Sequence, residues 1–138
     1  MDSRHKNKTF ATFLAAFFGW VGLHRFFLHG KKDLTGWTHA FTAPLSLLLI
    51  LLFPAKPLTF TAMPLILSVL ASLLGALVIG LTSDEKWDTA YNEASARRSD
   101  SGWPLAVLLV LVFAVGATTA IAIMARTFDL LFTGGSYG

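Results

Sequence analysis

The chain has 138 residues, a mean hydropathy of +0.62, 54% hydrophobic residues and 14% charged residues. Because soluble domains carry roughly 25% charged residues, this composition excludes an ordinary soluble domain and indicates an integral membrane protein. The net charge of +3 does not indicate nucleic acid binding, since the basic residues are scattered between apolar segments rather than gathered on one surface.

Four apolar stretches follow one another along the chain, over residues 9–28, 34–53, 58–81 and 103–125. The last three each supply about 20 residues or more, the length with which an α-helix crosses about 30 Å of hydrocarbon. The sequence therefore predicts an all-α integral membrane fold, a small polytopic helical bundle of three to four transmembrane helices.

The first stretch is shorter than the others. Its uninterrupted apolar part ends at Leu23, before His24 and Arg25, and about 15 residues make a helix of only about 22 Å. We expect this first helix to be either a short span or a half-inserted segment.

The distribution of Lys and Arg favours the half-inserted alternative. If the first helix dips in and returns, the N-terminal tail, the loop after the first stretch and the loop after the third share one face. That face then carries nine basic residues against two on the other, whereas a full span leaves six against five. Basic residues concentrate on the cytoplasmic side of membrane proteins, so we expect the face with the two loops to be cytoplasmic.

Tryptophan side chains favour the headgroup level of a bilayer, where an apolar ring and a polar N–H are both satisfied. Three tryptophans lie at ends of apolar stretches and one lies in the loop after the third. The sequence predicts an interfacial belt formed by Trp20, Trp37, Trp87 and Trp103.

The most specific pattern lies between the first two stretches and reads Gly19-x-x-Gly22-x-His24-Arg25-Phe26-Phe27-Leu28. It resembles the TM-two domain family, a two-transmembrane domain whose connecting turn carries Gly-x-x-Gly-x-His/Asp-Arg-Phe-Tyr/Phe-Leu-Gly. The resemblance covers about residues 6–53. The chain departs from the pattern at Phe27, where tyrosine is common, and at His29, which separates the leucine from Gly30.

This resemblance implies two helices joined by a short turn, which favours a true short span for the first helix, and it implies no known enzymatic activity. We interpret six residues as a structural motif: Gly19, Gly22, His24, Arg25, Phe26 and Phe27. The glycines permit a tight turn and close helix approach. A cation near the membrane boundary needs a partner, and we expect Arg25 to pair with Asp84, Glu85 or Asp88.

The sequence offers little for catalysis, metal binding or transport. It has no cysteine and no recognisable catalytic or nucleotide-binding motif. The spacing of the histidines does not favour a metal site, so we predict no catalytic residue, metal or cofactor. The three long stretches contain no Asp, Glu, Lys or Arg, whereas transporters usually carry ionisable residues in their spans.

We therefore expect one membrane domain, with a TM-two-like unit at residues 1–53. Residues 54–138 would add two helices at about 58–81 and 103–125, a polar loop at 82–102 and a C-terminal tail. The expected function is that of a structural or accessory subunit in a larger complex of the bacterial inner membrane. Its partners would be membrane lipid and other membrane protein subunits or copies of itself. The alternatives are a free-standing homo-oligomeric scaffold and a small channel or transporter.

Overall fold

The computed structural model describes residues 5–137, which form helices joined by short connections. In chain order the elements are α1 (Lys8–Phe18), a 3₁₀ turn (Gly19–Val21), α2 (Leu23–His29), α3 (Leu34–Leu52), α4 (Leu58–Thr61), α5 (Met63–Leu81), α6 (Asp84–Tyr91) and α7 (Trp103–Thr133).

Three of these helices, α3, α5 and α7, are long and apolar enough to cross a membrane, and residues 8–21 form a shorter apolar helix. This confirms the predicted all-α membrane bundle, and the protein is a multi-pass membrane protein. Two boundaries differ from the prediction. The third stretch is divided at Ala62 into α4 and α5. The last helix continues past residue 125 to Thr133, where Gly134 ends it in the left-handed conformation.

α5 is the central helix, because α1, α3 and α7 all pack against it. Small residues permit close approach: a Cβ on Gly80 would overlap the side chain of Leu109 on α7. In lipid, such close backbone packing stabilises helix pairs through van der Waals contact. The buried core where α1, α5 and α7 meet consists of Ala15, Leu73, Ala76 and Val112.

α1 runs antiparallel to α5. The side chain of Lys8, at the start of α1, donates a hydrogen bond to the carbonyl oxygen of Thr82 just after α5, at 2.7 Å. At the other end of α1, Gly19 lies against Ser72 in the middle of α5. α3 is also antiparallel to α5, since only the short connection 53–57 separates it from α4. Because α1 and α3 run in the same direction, α2 has to bring the chain back between them.

The contacts of α2 show this return. The Nζ of Lys6 donates to the carbonyl oxygen of Leu28 at 2.5 Å, and the rings of Phe10 and Phe27 are 5.4 Å apart. The N-terminal tail and the end of α2 therefore lie at the same end of the bundle. α1 and its 3₁₀ turn, together about 21 Å long, run inward from this end, and α2 runs back toward it. A first helix parallel to α3 and followed by a reversal is the arrangement that the half-inserted alternative requires, and its depth in the membrane stays a prediction.

α6 lies at this end too, because Asn92, which follows it, accepts a hydrogen bond from the backbone N–H of Lys6 at 2.7 Å. The tail, the α2–α3 connection and α6 thus form one polar face. Lys56, in the connection 53–57, lies at the opposite end of the bundle. Arg4, which the charge count includes, lies outside the described residues.

Single-cysteine labelling tests this arrangement, and the chain has no native cysteine to interfere. We expect Lys31→Cys and Lys86→Cys to react with a membrane-impermeant maleimide from one side of the membrane and Lys56→Cys from the other. Ser3→Cys should be labelled together with Lys31→Cys. Labelling of Ser3→Cys from the side of Lys56→Cys would contradict the half-inserted hairpin.

Candidate functional site

The turn between α1 and α2 depends on glycine at a backbone contact. Gly22 has a φ of +80°, a left-handed conformation that residues with a Cβ rarely adopt. A Cβ at this position would also overlap the carbonyl oxygen of Gly36 in α3. A Cβ on Gly36 would in turn lie 2.5 Å from Cε1 of Phe26. The motif thus lets α2 pack directly on the first turn of α3.

Arg25 closes the connection between α2 and α3. Its Nε donates to Oδ2 of Asp33 at 2.9 Å and its Nη2 donates to Oδ1 at 3.2 Å. The same carboxylate caps α3 by accepting a hydrogen bond from the N–H of Gly36 at 2.9 Å. The hydrogen bond from Arg25 holds the pKa of Asp33 below its ordinary value. Arg25 and Asp33 therefore lock the return segment onto the helix that follows it.

This pairing differs from the predicted one. We expected Arg25 to pair with an acid of the loop after α5, because both loops lie on one face, and the structure does place them at one end of the bundle. The geometry nevertheless gives Arg25 a closer acid eight residues along its own connection. An aspartate immediately before an apolar helix is a sequence signal for an N-cap, and that signal identifies Asp33 as an ordered carboxylate.

Behind the turn, a buried polar cluster joins α2, α3 and α5. The ring of His24 lies edge-on to that of His39, with centroids 5.6 Å apart, and Nδ1 of His39 is 2.6 Å from Oγ of Ser68. The hydroxyl of Ser68 donates to the carbonyl oxygen of Trp20 at 3.1 Å. Because a hydroxyl has one hydrogen, Nδ1 of His39 must be the donor of the His39–Ser68 bond. Sequence analysis missed this cluster, since a serine in an apolar helix carries no signal beyond ordinary helix packing.

A second polar assembly, which we call the polar cap, joins the N-terminal tail to α6 and residues 97–101. Its centre is the buried Lys8, whose Nζ lies 2.5 Å from Oδ1 of Asp84. The N–H of Ser101 donates to Oδ2 of Asp84 at 2.8 Å. Burial acts to raise the pKa of Asp84, but the hydrogen bonds from Lys8 and Ser101 outweigh it and lower the pKa.

Asp88 holds the far side of the polar cap. It accepts hydrogen bonds from the side chain of Asn92 at 2.8 Å and from the N–H and hydroxyl of Ser99 at 2.7 and 2.6 Å. The bonds from Asn92 and Ser99 lower the pKa of Asp88 to about 2. Glu85, the remaining predicted partner of Arg25, is exposed on α6. Two of these three acids thus hold the polar cap together, and Arg25 pairs elsewhere.

Trp87 is an exception to the predicted interfacial belt. Its side chain is buried between the tail and α2, beside Ala11 and Leu28, and its Nε1 donates to the carbonyl oxygen of Lys6 at 2.8 Å. The burial of Trp87 could not be predicted from its place in a polar loop, because the residue that its indole contacts, Lys6, is 81 residues away in sequence. Trp37 and Trp103 are exposed near the starts of α3 and α7. Trp20 is also exposed, but it lies in the 3₁₀ turn at the inner end of α1, where its carbonyl oxygen accepts a hydrogen bond from Ser68 of α5.

The two phenylalanines of the motif face different helices. Phe26 packs against Trp37 of α3, with ring centroids 5.4 Å apart, and Phe27 packs against Phe10 of α1. No group of three or more His, Asp or Glu side chains that could hold a metal ion occurs among residues 5–137.

We call the motif and the polar cap together the clamp, because their contacts fix the relative positions of α1, α2, α3 and α6.

Two glycine substitutions separate the backbone contact from backbone strain. Gly134 is also in the left-handed conformation, with a φ of +70°, but a Cβ there would meet no atom within 4 Å. We expect Gly134→Ala to cost about 1 kcal/mol in free energy of unfolding from strain alone. Gly22→Ala should cost clearly more, because the carbonyl of Gly36 must also move. Thermal unfolding in detergent measures both, and equal losses would contradict the close α2–α3 contact.

Comparison with known proteins identifies one segment of the chain. Residues 4–53 match the family model described as the TM2 domain. Neither a curated protein nor a solved structure matches the chain. The match covers α1, α2 and α3, with the glycine turn at its centre. Residues 4–53 of this membrane protein, which we call the TM2 segment, are therefore similar to the TM2 domain.

Proposed function

We propose that the protein is a non-catalytic accessory subunit of a larger complex in the bacterial inner membrane. In this proposal the TM2 segment and the polar cap form a rigid base, and α7 is the helix that docks on a partner. The observation that carries the proposal is the exposure of α7 along nearly all of its length.

α7 has 31 residues, which makes it about 46 Å long. Only Leu105 and Val112 of this helix are buried. In the most apolar 18 residues of α7, 6% are buried, against 11% in α3 and 33% in α5. α5 is thus the helix most covered by neighbours in this chain, and α7 has the most free surface for helices of another subunit. Gly116 faces Leu73 of α5 within this chain, so the free surface consists of exposed side chains such as Val110 and Ile121.

The last part of α7 extends beyond the length that a bilayer requires. About 20 residues cross the hydrocarbon, so the segment from Arg126 to Thr133 projects past the membrane core. Phe128 and Phe132 stack there with centroids 5.9 Å apart and are 57% and 79% exposed. An exposed apolar cluster outside the hydrocarbon is typical of an interaction surface.

Polar groups inside the spanning helices are used for packing, which argues against a transport path. His39 and Ser68 hydrogen-bond each other between α3 and α5. The hydroxyl of Ser46 on α3 accepts a hydrogen bond from the N–H of Leu65 at 3.0 Å, a first-turn donor that its own helix leaves unpaired. These contacts stabilise the bundle and form no polar lining.

A homo-oligomeric scaffold is the second candidate function. The same exposed face of α7, which includes Val110 and Ile121, suits van der Waals contact with a second copy of this chain. The two functions differ in what accompanies the purified protein.

Affinity purification in a mild detergent followed by native mass spectrometry tests the accessory function. We expect a second protein to be recovered in a stoichiometric amount. The double variant Phe128→Ala/Phe132→Ala should reduce that recovery at least about tenfold, because buried aromatic anchors dominate interface energy. Phe41→Ala, at a lipid-exposed phenylalanine of α3, is the matched control and should leave recovery unchanged.

Recovery of the wild-type chain alone would contradict the accessory function. Recovery as identical copies that dissociate in the α7 variant would establish the scaffold instead.

A further inference from the structure

A cavity of about 100 Å³ lies in the polar cap, and its lining includes Lys8, Ser99 and Ser101 of the contacts that hold the cap together. One wall is the start of α1, at residues 7–9, and the other is the segment 97–101. We call it the basic cavity, because Arg97 and Arg98 both line it. Neither the TM2 motif nor the proposed docking helix includes any of these residues.

The positive charge at the basic cavity is only partly compensated by the acid that lines it. The ammonium group of Lys8, which also lines the cavity, is neutralised by Asp84. By contrast, no carboxylate among residues 5–137 lies within ion-pair distance of Arg97 or Arg98, and both residues are exposed. The lining contains two arginines and one acid, Asp100. Arg98 also borders a neighbouring cavity with Asp84, Glu85 and Asp88, but Asp84 and Asp88 are already engaged by Lys8, Asn92, Ser99 and Ser101. An excess of cationic donors around a small cavity favours an anion.

His5 provides an independent observation. It lines the same cavity, and its Nδ1 atom is buried and has no hydrogen-bond partner in the described structure. A buried polar atom without a partner costs free energy. An anionic oxygen in the cavity would satisfy this atom if the nitrogen carries a proton.

The cavity also lies close to the membrane boundary. Ser101, in its lining, is two residues before Trp103, the first residue of the spanning helix α7, whose side chain is 77% exposed. Exposed tryptophan at the end of a span marks the headgroup level. The cavity is therefore at the height at which lipid phosphates occur.

We propose that the basic cavity binds a phosphate group through Arg97, Arg98 and His5. Guanidinium groups match phosphate in geometry and can donate two parallel hydrogen bonds to it. The phosphate can belong to the headgroup of an anionic lipid or to free inorganic phosphate, since both present the same oxygens. A bound phosphate would connect the segment 97–101 to His5 of the N-terminal tail. The hydrogen bonds of the clamp would stay unchanged.

The test compares two double variants of the full-length chain in detergent. Arg97→Gln/Arg98→Gln removes the cavity charge. The matched control, Lys31→Gln/Lys32→Gln, removes two adjacent exposed charges of the α2–α3 connection on the same face. Both pairs are exposed, so thermal unfolding without added ligand should match the wild type and exclude misfolding as the cause of any loss.

In the first arm, phosphatidylglycerol is titrated and bound lipid is counted by native mass spectrometry. In the second arm, inorganic phosphate is titrated and the unfolding temperature is followed. We expect Arg97→Gln/Arg98→Gln to weaken binding at least about tenfold in one of the arms and the control to weaken it no more than about twofold. The arm in which this difference occurs identifies the source of the phosphate.

Two results would overturn the proposal. Equal losses in both double variants would mean that the basic residues act only as a general cationic surface. Wild-type behaviour of Arg97→Gln/Arg98→Gln in both arms would mean that the cavity binds no phosphate.

Discussion

The buried ammonium group of Lys8 sets the position of the first helix, and much of the remaining structure depends on it. An ammonium group removed from water requires a carboxylate and further acceptors, and only the end of α5 and the start of α6 supply them, through Thr82 and Asp84. Because Lys8 is the first residue of α1, this contact holds the beginning of α1 in the polar cap. The helix then runs from that end antiparallel to α5.

The return of the chain follows from this constraint. α3 must run parallel to α1, so the segment between them has to come back to the same end. The left-handed Gly22 makes that reversal possible, and the pair of Arg25 and Asp33 fixes it. The TM2 segment is thus a hairpin followed by a span, held at both ends of α2. The helix that this clamp leaves most exposed is α7, which is consistent with its proposed role in docking.

Several parts of this structure could be predicted from the sequence because they depend on local properties. The long apolar helices α3, α5 and α7 follow from the lengths of apolar stretches, and the short first helix follows from the interruption of its stretch by His24 and Arg25. Other parts depend on distant contacts. Trp87 is buried because the tail covers it, and no pattern around residue 87 contains that information. The predicted partner of Arg25 was wrong, because two groups at the same end of the bundle need not be close enough to form an ion pair. The N-cap position of Asp33 offered a sequence signal for the observed partner.

A double-mutant cycle on Lys8 and Asp84 tests the central claim most directly. The variants are Lys8→Met, Asp84→Asn and the two combined, and the readouts are the unfolding temperature and hydrogen exchange in the tail and α1. If the buried pair anchors α1, each single variant should leave an uncompensated charge, lower the unfolding temperature and expose the tail. The double variant should then be less destabilised than the sum of the two. Additive losses with unchanged exchange in the tail would show that the pair does not hold the first helix, and would contradict the account.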